Sequence, residues 1–344
     1  MRKEIRTIVL ALLFLPLLLL AGCGRTPQSR EAGNTAVIGV LGVEPAPQGL
    51  RVYAGAESRA GQPPAIYQGR GKTLAAAVEE LSASGDAMVS CAHVEHILLA
   101  QTAAGSLEEV LSYAFQDPQQ STESQLWVVR TPALSQIFSG EQDPAQRMSV
   151  LRAAGKDKQG FVPVTLREAA SALAEGDPLL IPALDVTGEG ISFGGYALYK
   201  EGEFAAWLTG EAALGAALLK GDPIHWTDSV GDLAISLQST GRRVETLWNG
   251  DALAGLAVRC DLEGVVTGGW ASGRGDQAYL EAKTARAMDA ALKTMQRAAA
   301  DGANLKGGAG LRNVLGWRRI SAQWEGAFPS LTPEITVEIT LEEP

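Results

Sequence analysis

The segment CAHVEH, residues 91–96, holds two of the chain's three histidines, one of its three cysteines and a glutamate. Thiolate, imidazole and carboxylate groups at short spacing are ligands for Zn²⁺, and a histidine near an acid also occurs in hydrolytic sites. The apolar residues ILLA that follow, and the Gly-Asp pair a few residues earlier, predict a β-strand. We therefore asked which side of a strand each candidate ligand would face.

Alternate residues of a strand face opposite sides, so Cys91, His93 and Glu95 would share one side of it. His96 would face the other side, and the two histidines would then not bind the same ion. A set made of Cys91, His93 and Glu95 would still require another ligand from elsewhere in the chain. We expect a structural strand here, with no metal ligands and no catalytic residues.

The sequence GRGKT at residues 69–73 suggests a phosphate-binding loop, but Ile66 stands where that loop requires its first glycine. We expect a turn between a strand and a helix, with Thr73 as the N-cap residue. No serine lies in a Gly-x-Ser-x-Gly sequence that would mark a nucleophile, and His225 lies in a predicted loop. Nothing singles out a catalytic pair among the 39 acidic residues. We expect a protein that is not an enzyme and has no cofactor.

The composition is that of a globular protein, with 344 residues of which 46% are hydrophobic and 20% charged. The formal net charge of −10 disfavours electrostatic binding to nucleic acid or to anionic headgroups. Beyond the N-terminus, no stretch reaches the roughly 18 apolar residues that a membrane-spanning helix needs. Cys91 and Cys260 are far apart in the chain, and we expect both to be free, buried thiols.

The N-terminus has the pattern of an export signal. Three basic residues among the first six precede an apolar run at residues 8–22, which ends in Leu-Ala-Gly just before Cys23. This resembles the bacterial lipobox and predicts a cleaved signal peptide with lipid attachment at Cys23. The alternative is a plain signal peptide, or a short membrane helix, with an incidental cysteine. Two acyl chains on one cysteine would give stable anchoring.

The hydrophobic periodicity predicts a mixed α/β (or α+β) fold. Helices are predicted at residues 74–84, at 166–175 with a Thr165/Glu168 capping box, and at 277–300. The section from residue 191 is rich in strands, and a final strand lies near residues 334–341. We expect a three-domain ectodomain of mixed sheets flanked by helices, divided into a signal peptide (1–22), a tether (23–34), an N-terminal mixed α/β domain (35–188), a middle strand-rich domain (189–250) and a C-terminal domain with the long helix and final strand (251–344).

Several segments together resemble the Ger(x)C family, the C-subunit lipoproteins of bacterial spore germinant receptors. They are the lipobox at Cys23, the helix-opening segment YQGRGKTLAAAVEELS and the segment CAHVEHILLAQTAAGSLEEVLSYAFQDPQ. The C-terminal segment GLRNVLGWRRISAQWEGAFPSLTPEITVEITL is similar to the family's Trp…Trp…Phe-Pro pattern, carried here by Trp317, Trp324, Phe328 and Pro329. We expect most of this aromatic group to belong to the core.

The resemblance implies a mixed α/β ectodomain without catalytic residues, lipid-anchored to the outer face of the spore inner membrane. Its implied partners are the integral membrane A-type and B-type receptor subunits, and its implied role is in germination triggered by small-molecule germinants. Two other classes remain open. One is the substrate-binding lipoprotein of a transporter, which requires two lobes around a cleft. The other is an anchored hydrolase that uses His93 or a carboxylate.

Overall fold

The computed structural model describes residues 35–342, apart from the short segments 57–62, 84–86, 102, 104–106, 118–119, 131–133, 140–141, 159, 188–189 and 270–273. The predicted signal peptide, Cys23 and the predicted tether lie outside the described residues. Ala36–Pro344 form one compact unit.

The strands, in chain order, are β1 (Thr35–Ala46), β2 (Gly49–Ala56), β3 (Ile66–Gly71), β4 (Met88–Ser90), β5 (His96–Ala100), β6 (Gln125–Val129), β7 (Val164–Thr165), β8 (Leu179–Thr187), β9 (Gly190–Lys200), β10 (Glu203–Leu208), β11 (His225–Val230), β12 (Leu233–Asn249), β13 (Ala252–Gly268) and β14 (Thr332–Glu342). The helices are α1 (Leu74–Ala83), α2 (Leu107–Gln116), α3 (Ser135–Phe138), α4 (Pro144–Lys158), α5 (Leu166–Glu175), α6 (Glu211–Lys220), α7 (Arg274–Arg297), α8 (Leu305–Arg312) and α9 (Trp317–Ala327), followed by a 3₁₀ turn at Phe328–Ser330.

The larger sheet has the strand order β10-β9-β8-β6-β5-β1-β2-β3, with β4 beside β1 and β7 beside β6. Its centre is parallel, because β1, β5, β6 and β8 pair in that sense. Antiparallel hairpins extend it at both edges. Every residue of β5 is buried, as expected for a central parallel strand covered on both faces.

Helices cover both faces of the larger sheet. Buried side chains of α1, α2 and α5 pack on one face and form one hydrophobic core. The other face packs against α3, α4 and α6, and this second core continues into α7 and the smaller sheet. The N-terminus of α5 has the predicted capping box, since Thr165 Oγ1 accepts from Glu168 N and the Glu168 carboxylate accepts from Thr165 N.

The smaller sheet has the order β11-β12-β13-β14, and β14 runs parallel to β13 after a connection through α7, α8 and α9. The apolar stripe predicted on the long helix is buried along Leu280, Met288, Leu292 and Met295. The helix ends at Arg297 rather than near residue 300, because Ala299 has a left-handed backbone with φ 50°.

The fold is mixed α/β with sheets flanked by helices, as predicted. The β8–β9 hairpin crosses the predicted domain boundary at 188/189, and the β12–β13 hairpin crosses the one at 250/251. The three-domain division stays a prediction.

Candidate functional site

The CAHVEH segment is not one continuous strand, so our prediction for it was wrong. Strand β4 ends at Ser90 and β5 begins at His96. Between them the chain turns, and the N–H of Val94 donates to the carbonyl of Cys91 at 3.3 Å. The N–H of Glu95 then donates to the carbonyl of Gly39 in β1 at 2.9 Å, which directs the chain into β5.

The turn separates the candidate ligands. Cys91 belongs to the core under α1 and α2, whereas His93 and Glu95 are exposed. His96 is fully buried and contacts Trp127 of the opposite core. Among the described residues, no group of three or more His, Cys, Asp or Glu side chains is placed to hold a metal ion.

His96 forms hydrogen bonds through both ring nitrogens. The indole N–H of Trp127 donates to Nδ1 at 3.3 Å, and Nε2 lies 3.4 Å from the hydroxyl oxygen of Ser149. An indole nitrogen only donates, so Nδ1 must be the acceptor in this pair. The neutral ring therefore carries its proton on Nε2 and donates that proton to Ser149.

In this tautomer the proton lies on the ring nitrogen that a hydrolytic site would need free. A general base needs a free lone pair facing the serine hydroxyl, and Nε2 carries a proton instead. Burial, together with the nearby charge of Arg152, lowers the pKa of His96 to about 4, so the ring is neutral at physiological pH. An open cavity of about 370 Å³ adjoins His96, with Glu95, Asp143 and Ser149 on its wall. The His96–Ser149 pair is thus a part-buried structural contact rather than a nucleophile with its base.

The two cysteines of the described chain are free and buried, as predicted. Burial raises the pKa of Cys91 to about 11 and that of Cys260 to about 12. Both thiols therefore stay protonated at neutral pH, and a thiol is a poor nucleophile compared with a thiolate.

The glycines of GRGKT allow a helix to pack closely against a strand. A Cβ atom on Gly69 would lie 2.1 Å from the carbonyl oxygen of Ala77, and one on Gly71 would lie 2.4 Å from the nitrogen of Ala77. Thr73 Oγ1 accepts from the N–H of Ala76 at 3.3 Å. The predicted strand-to-helix turn with its Thr73 cap is confirmed, and these glycines are needed for packing.

A part-buried charged cluster joins segments that the sequence alone did not connect. Arg242 in β12 donates from Nη1 to the carbonyl oxygens of Leu219 and Ala303, the latter at 3.0 Å. Asp301 accepts from the N–H groups of Leu305 and Lys306 at 2.9 and 2.8 Å. Burial lowers the pKa of Arg242 and raises the pKa of Asp301. The cluster connects the end of α6, strand β12 and the start of α8, and its role is structural.

The aromatic residues near the C-terminus separate into two groups. Trp324 and Phe328 are buried and stacked with ring centroids 5.7 Å apart, as expected for core residues. Trp317 is exposed beside the aliphatic side chains of the α8–α9 connection. His225 also differs from its prediction, because it is the first residue of β11 rather than part of a loop.

In the part of the chain that the structure describes, no helix is both long enough and apolar enough to cross a bilayer. Residues 34–186 match the family model described as the spore germination protein N-terminal domain. The crystal structure of the GerBC protein has a similar fold, with a TM-score of 0.59 and 13% sequence identity over 88% of this chain and 97% of that chain. No curated protein sequence matches the chain.

The family model covers the larger sheet as far as β8, and the fold similarity continues through most of the remaining chain. Residues 34–186 therefore form a spore germination protein N-terminal domain, and both comparisons support the resemblance to the Ger(x)C family.

Proposed function

We propose that this chain is a non-enzymatic, lipid-anchored subunit of a nutrient germinant receptor on the outer face of the spore inner membrane. In this role it is needed for germination in response to small-molecule germinants, and it assembles with integral membrane A-type and B-type subunits. The observation that carries the proposal is the match of residues 34–186 to a spore germination protein domain. The lipobox-like sequence before Cys23 supports the anchor.

The described residues support a structural or binding role over catalysis. The buried histidine presents a proton to Ser149, and both buried cysteines are protonated thiols. A transporter's substrate-binding lipoprotein would need two lobes around a cleft, whereas Ala36–Pro344 form one compact unit. These features favour the receptor-subunit role over the transporter and hydrolase alternatives.

Replacing the predicted acylation site tests the anchor. Cys23→Ala should release the protein from the membrane fraction, abolish labelling by a palmitate analogue and impair germination with nutrients. Gly24→Ala is the matched control, because it changes the adjacent residue and keeps the thiol. Membrane retention and normal germination in Cys23→Ala spores would contradict the proposal.

Assembly with the membrane subunits is tested by detergent extraction. A tagged chain should co-purify with two multi-pass proteins encoded beside its own gene. Neighbouring genes for an ATPase and a permease, or co-purification with such proteins, would favour the transporter alternative instead.

A further inference from the structure

The connection between α8 and α9 exposes an unusual number of aliphatic side chains. Leu315 is 101% exposed, Leu311 84% and Val314 74%, and Trp317 beside them is 39% exposed. Soluble proteins scatter single apolar residues over their surface, whereas a contiguous exposed apolar group marks an interaction surface. We call residues 311–319 the α8–α9 corner.

The charge of this region is opposite to that of the whole chain. Residues 302–324 contain four basic residues and no acidic residue, while the chain carries a formal net charge of −10. Arg312 and Arg318 are exposed within the corner. Arg319 is already engaged, because it donates to Asp251 at 2.8 Å and lies over the ring of Trp248. Arg312 and Arg318 therefore carry the positive charge of the corner.

Local contacts hold the corner in place. The ring of Trp317 lies against Gly310, where a Cβ atom would come within 2.3 Å of it. The N–H of Gly316 donates to the side-chain oxygen of Asn313 at 2.8 Å, which closes the turn that carries Val314 and Leu315. Because the turn is already ordered, binding through these side chains would lose little conformational entropy.

We propose that the α8–α9 corner docks onto an anionic phospholipid bilayer, with Leu311, Val314 and Leu315 entering the interface and the basic side chains contacting headgroups. Aliphatic residues, a tryptophan and exposed arginines form the combination that binds at the headgroup boundary. The full exposure of Leu315 suits insertion into acyl chains, which adapt to a projecting side chain. The acidic remainder of the protein opposes binding only weakly, since salt screens charges more than about 8 Å away.

Vesicle flotation of residues 24–344 tests the corner without the lipid anchor. This form retains the compact unit Ala36–Pro344 with both hydrophobic cores, and it lacks Cys23. The chain should bind vesicles of equimolar phosphatidylcholine and phosphatidylglycerol, and should bind vesicles of phosphatidylcholine alone much more weakly. Failure of the Cys23 anchor in spores would leave this result unchanged, so the two proposals fail separately.

Two pairs of substitutions separate the apolar contribution to vesicle binding from the electrostatic one. Val314→Ser with Leu315→Ser should reduce partitioning onto the anionic vesicles by at least about tenfold. Arg312→Gln with Arg318→Gln should reduce it by about fivefold for each arginine removed, and only on the anionic vesicles. The matched control is Phe115→Ser with Val150→Ser, two apolar residues that are 52% and 63% exposed elsewhere, and it should bind like the wild type.

A label at the corner reports insertion directly. Leu315→Cys can be labelled selectively with an environment-sensitive fluorophore, since Cys91 and Cys260 are buried. Its emission should shift to shorter wavelength on the anionic vesicles, while the same label on Val150→Cys should not shift.

Any one of three results would overturn the proposal: no binding to the anionic vesicles, equal binding by the corner variants, or unchanged emission from the corner label. A germination defect in the corner variants without vesicle binding would instead assign the corner to a protein partner.

Discussion

The indole nitrogen of Trp127 donates a hydrogen bond to Nδ1 of His96 across 3.3 Å, between neighbouring parallel strands β6 and β5. The two residues also lie in ring contact, with centroids 6.1 Å apart. Because both side chains are fully buried, the contact fixes the histidine as a neutral ring with its proton on Nε2. His96, which the sequence offered as a candidate metal ligand or general base, thus has a structural role in the core.

We predict that His96 makes the fold sensitive to mild acid. Its pKa is about 4 in the folded chain and 6.5 in the unfolded chain, so the unfolded state binds a proton first as pH falls. The contribution of neutral His96 to the free energy of unfolding is fully present above pH 6.5. It is lost progressively between pH 6.5 and about pH 4. The total loss is about 3 kcal/mol of unfolding free energy.

Urea denaturation at a series of pH values measures this effect. His96→Asn keeps an acceptor for Trp127 and removes the titrating group, so its stability should fall less than that of the wild type over this range. His93→Asn, at the exposed histidine of the same segment, should follow the wild-type curve. Parallel curves for the wild type and His96→Asn would contradict the assignment.

We predict that Cys91 and Cys260 react with thiol reagents only when the chain opens. Both thiols are buried and have pKa values of about 11 and about 12, so little thiolate forms at neutral pH and reagent has no access. In residues 24–344, colourimetric titration should detect almost no thiol in buffer and two thiols in denaturant. Rapid modification of either cysteine in the folded chain would show that reagent reaches its thiol without unfolding, which would contradict the prediction.

A close approach of two helices makes one glycine irreplaceable. A Cβ atom on Gly215 in α6 would lie 2.0 Å from the carbonyl oxygen of Ala287 in α7. Gly215→Ala should therefore force the helices apart and lower the unfolding free energy by about 1–3 kcal/mol. Gly326→Ala in α9 is the matched control, since a Cβ atom there meets nothing within 4 Å.

The control Gly326→Ala should raise the free energy of unfolding rather than lower it. Replacing an unobstructed helical glycine by alanine reduces the entropy of the unfolded chain and stabilises by about 0.5–1 kcal/mol. Thermal unfolding of the two variants measures both effects. A Gly215→Ala protein as stable as Gly326→Ala would mean that α6 and α7 do not pack at this distance.

The sequence predicted the elements whose signals are local. The capping box of Thr165 and Glu168, the apolar stripe of α7 and the alternation of β14 depend on residues close together in the chain, and each was found where expected. The CAHVEH prediction failed because its turn depends on a hydrogen bond from Glu95 to Gly39 in a distant strand. No local pattern reports such a bond.

The same reason explains the features that the sequence did not indicate. The position of the Arg242 side chain depends on carbonyl groups at residues 219 and 303, which lie on opposite sides of it in the chain. The exposure of Trp317 depends on its ring resting on Gly310 while Trp324 turns into the core. Amphipathic periodicity identifies the face of a helix, but the side chain of its first residue, here Trp317, is placed by the connection that leads into the helix.

We predict that Arg242 is a key residue for joining β12 to the end of α6 and the segment before α8. Its guanidinium donates to two carbonyl groups from separate segments and lies near the part-buried carboxylates of Asp222 and Asp301. Arg242→Met would leave both carbonyl groups without their charged hydrogen-bond donor, at a cost of about 1.5–3 kcal/mol of unfolding free energy. Arg242→Lys should retain part of that stability, since both bonds come from the single nitrogen Nη1 and an ammonium group also donates to more than one acceptor. Arg243→Met, at the adjacent exposed arginine, should change the urea midpoint little. If Arg242→Met were as stable as Arg243→Met, the connection between β12 and the α6 and α8 segments would depend on apolar packing alone.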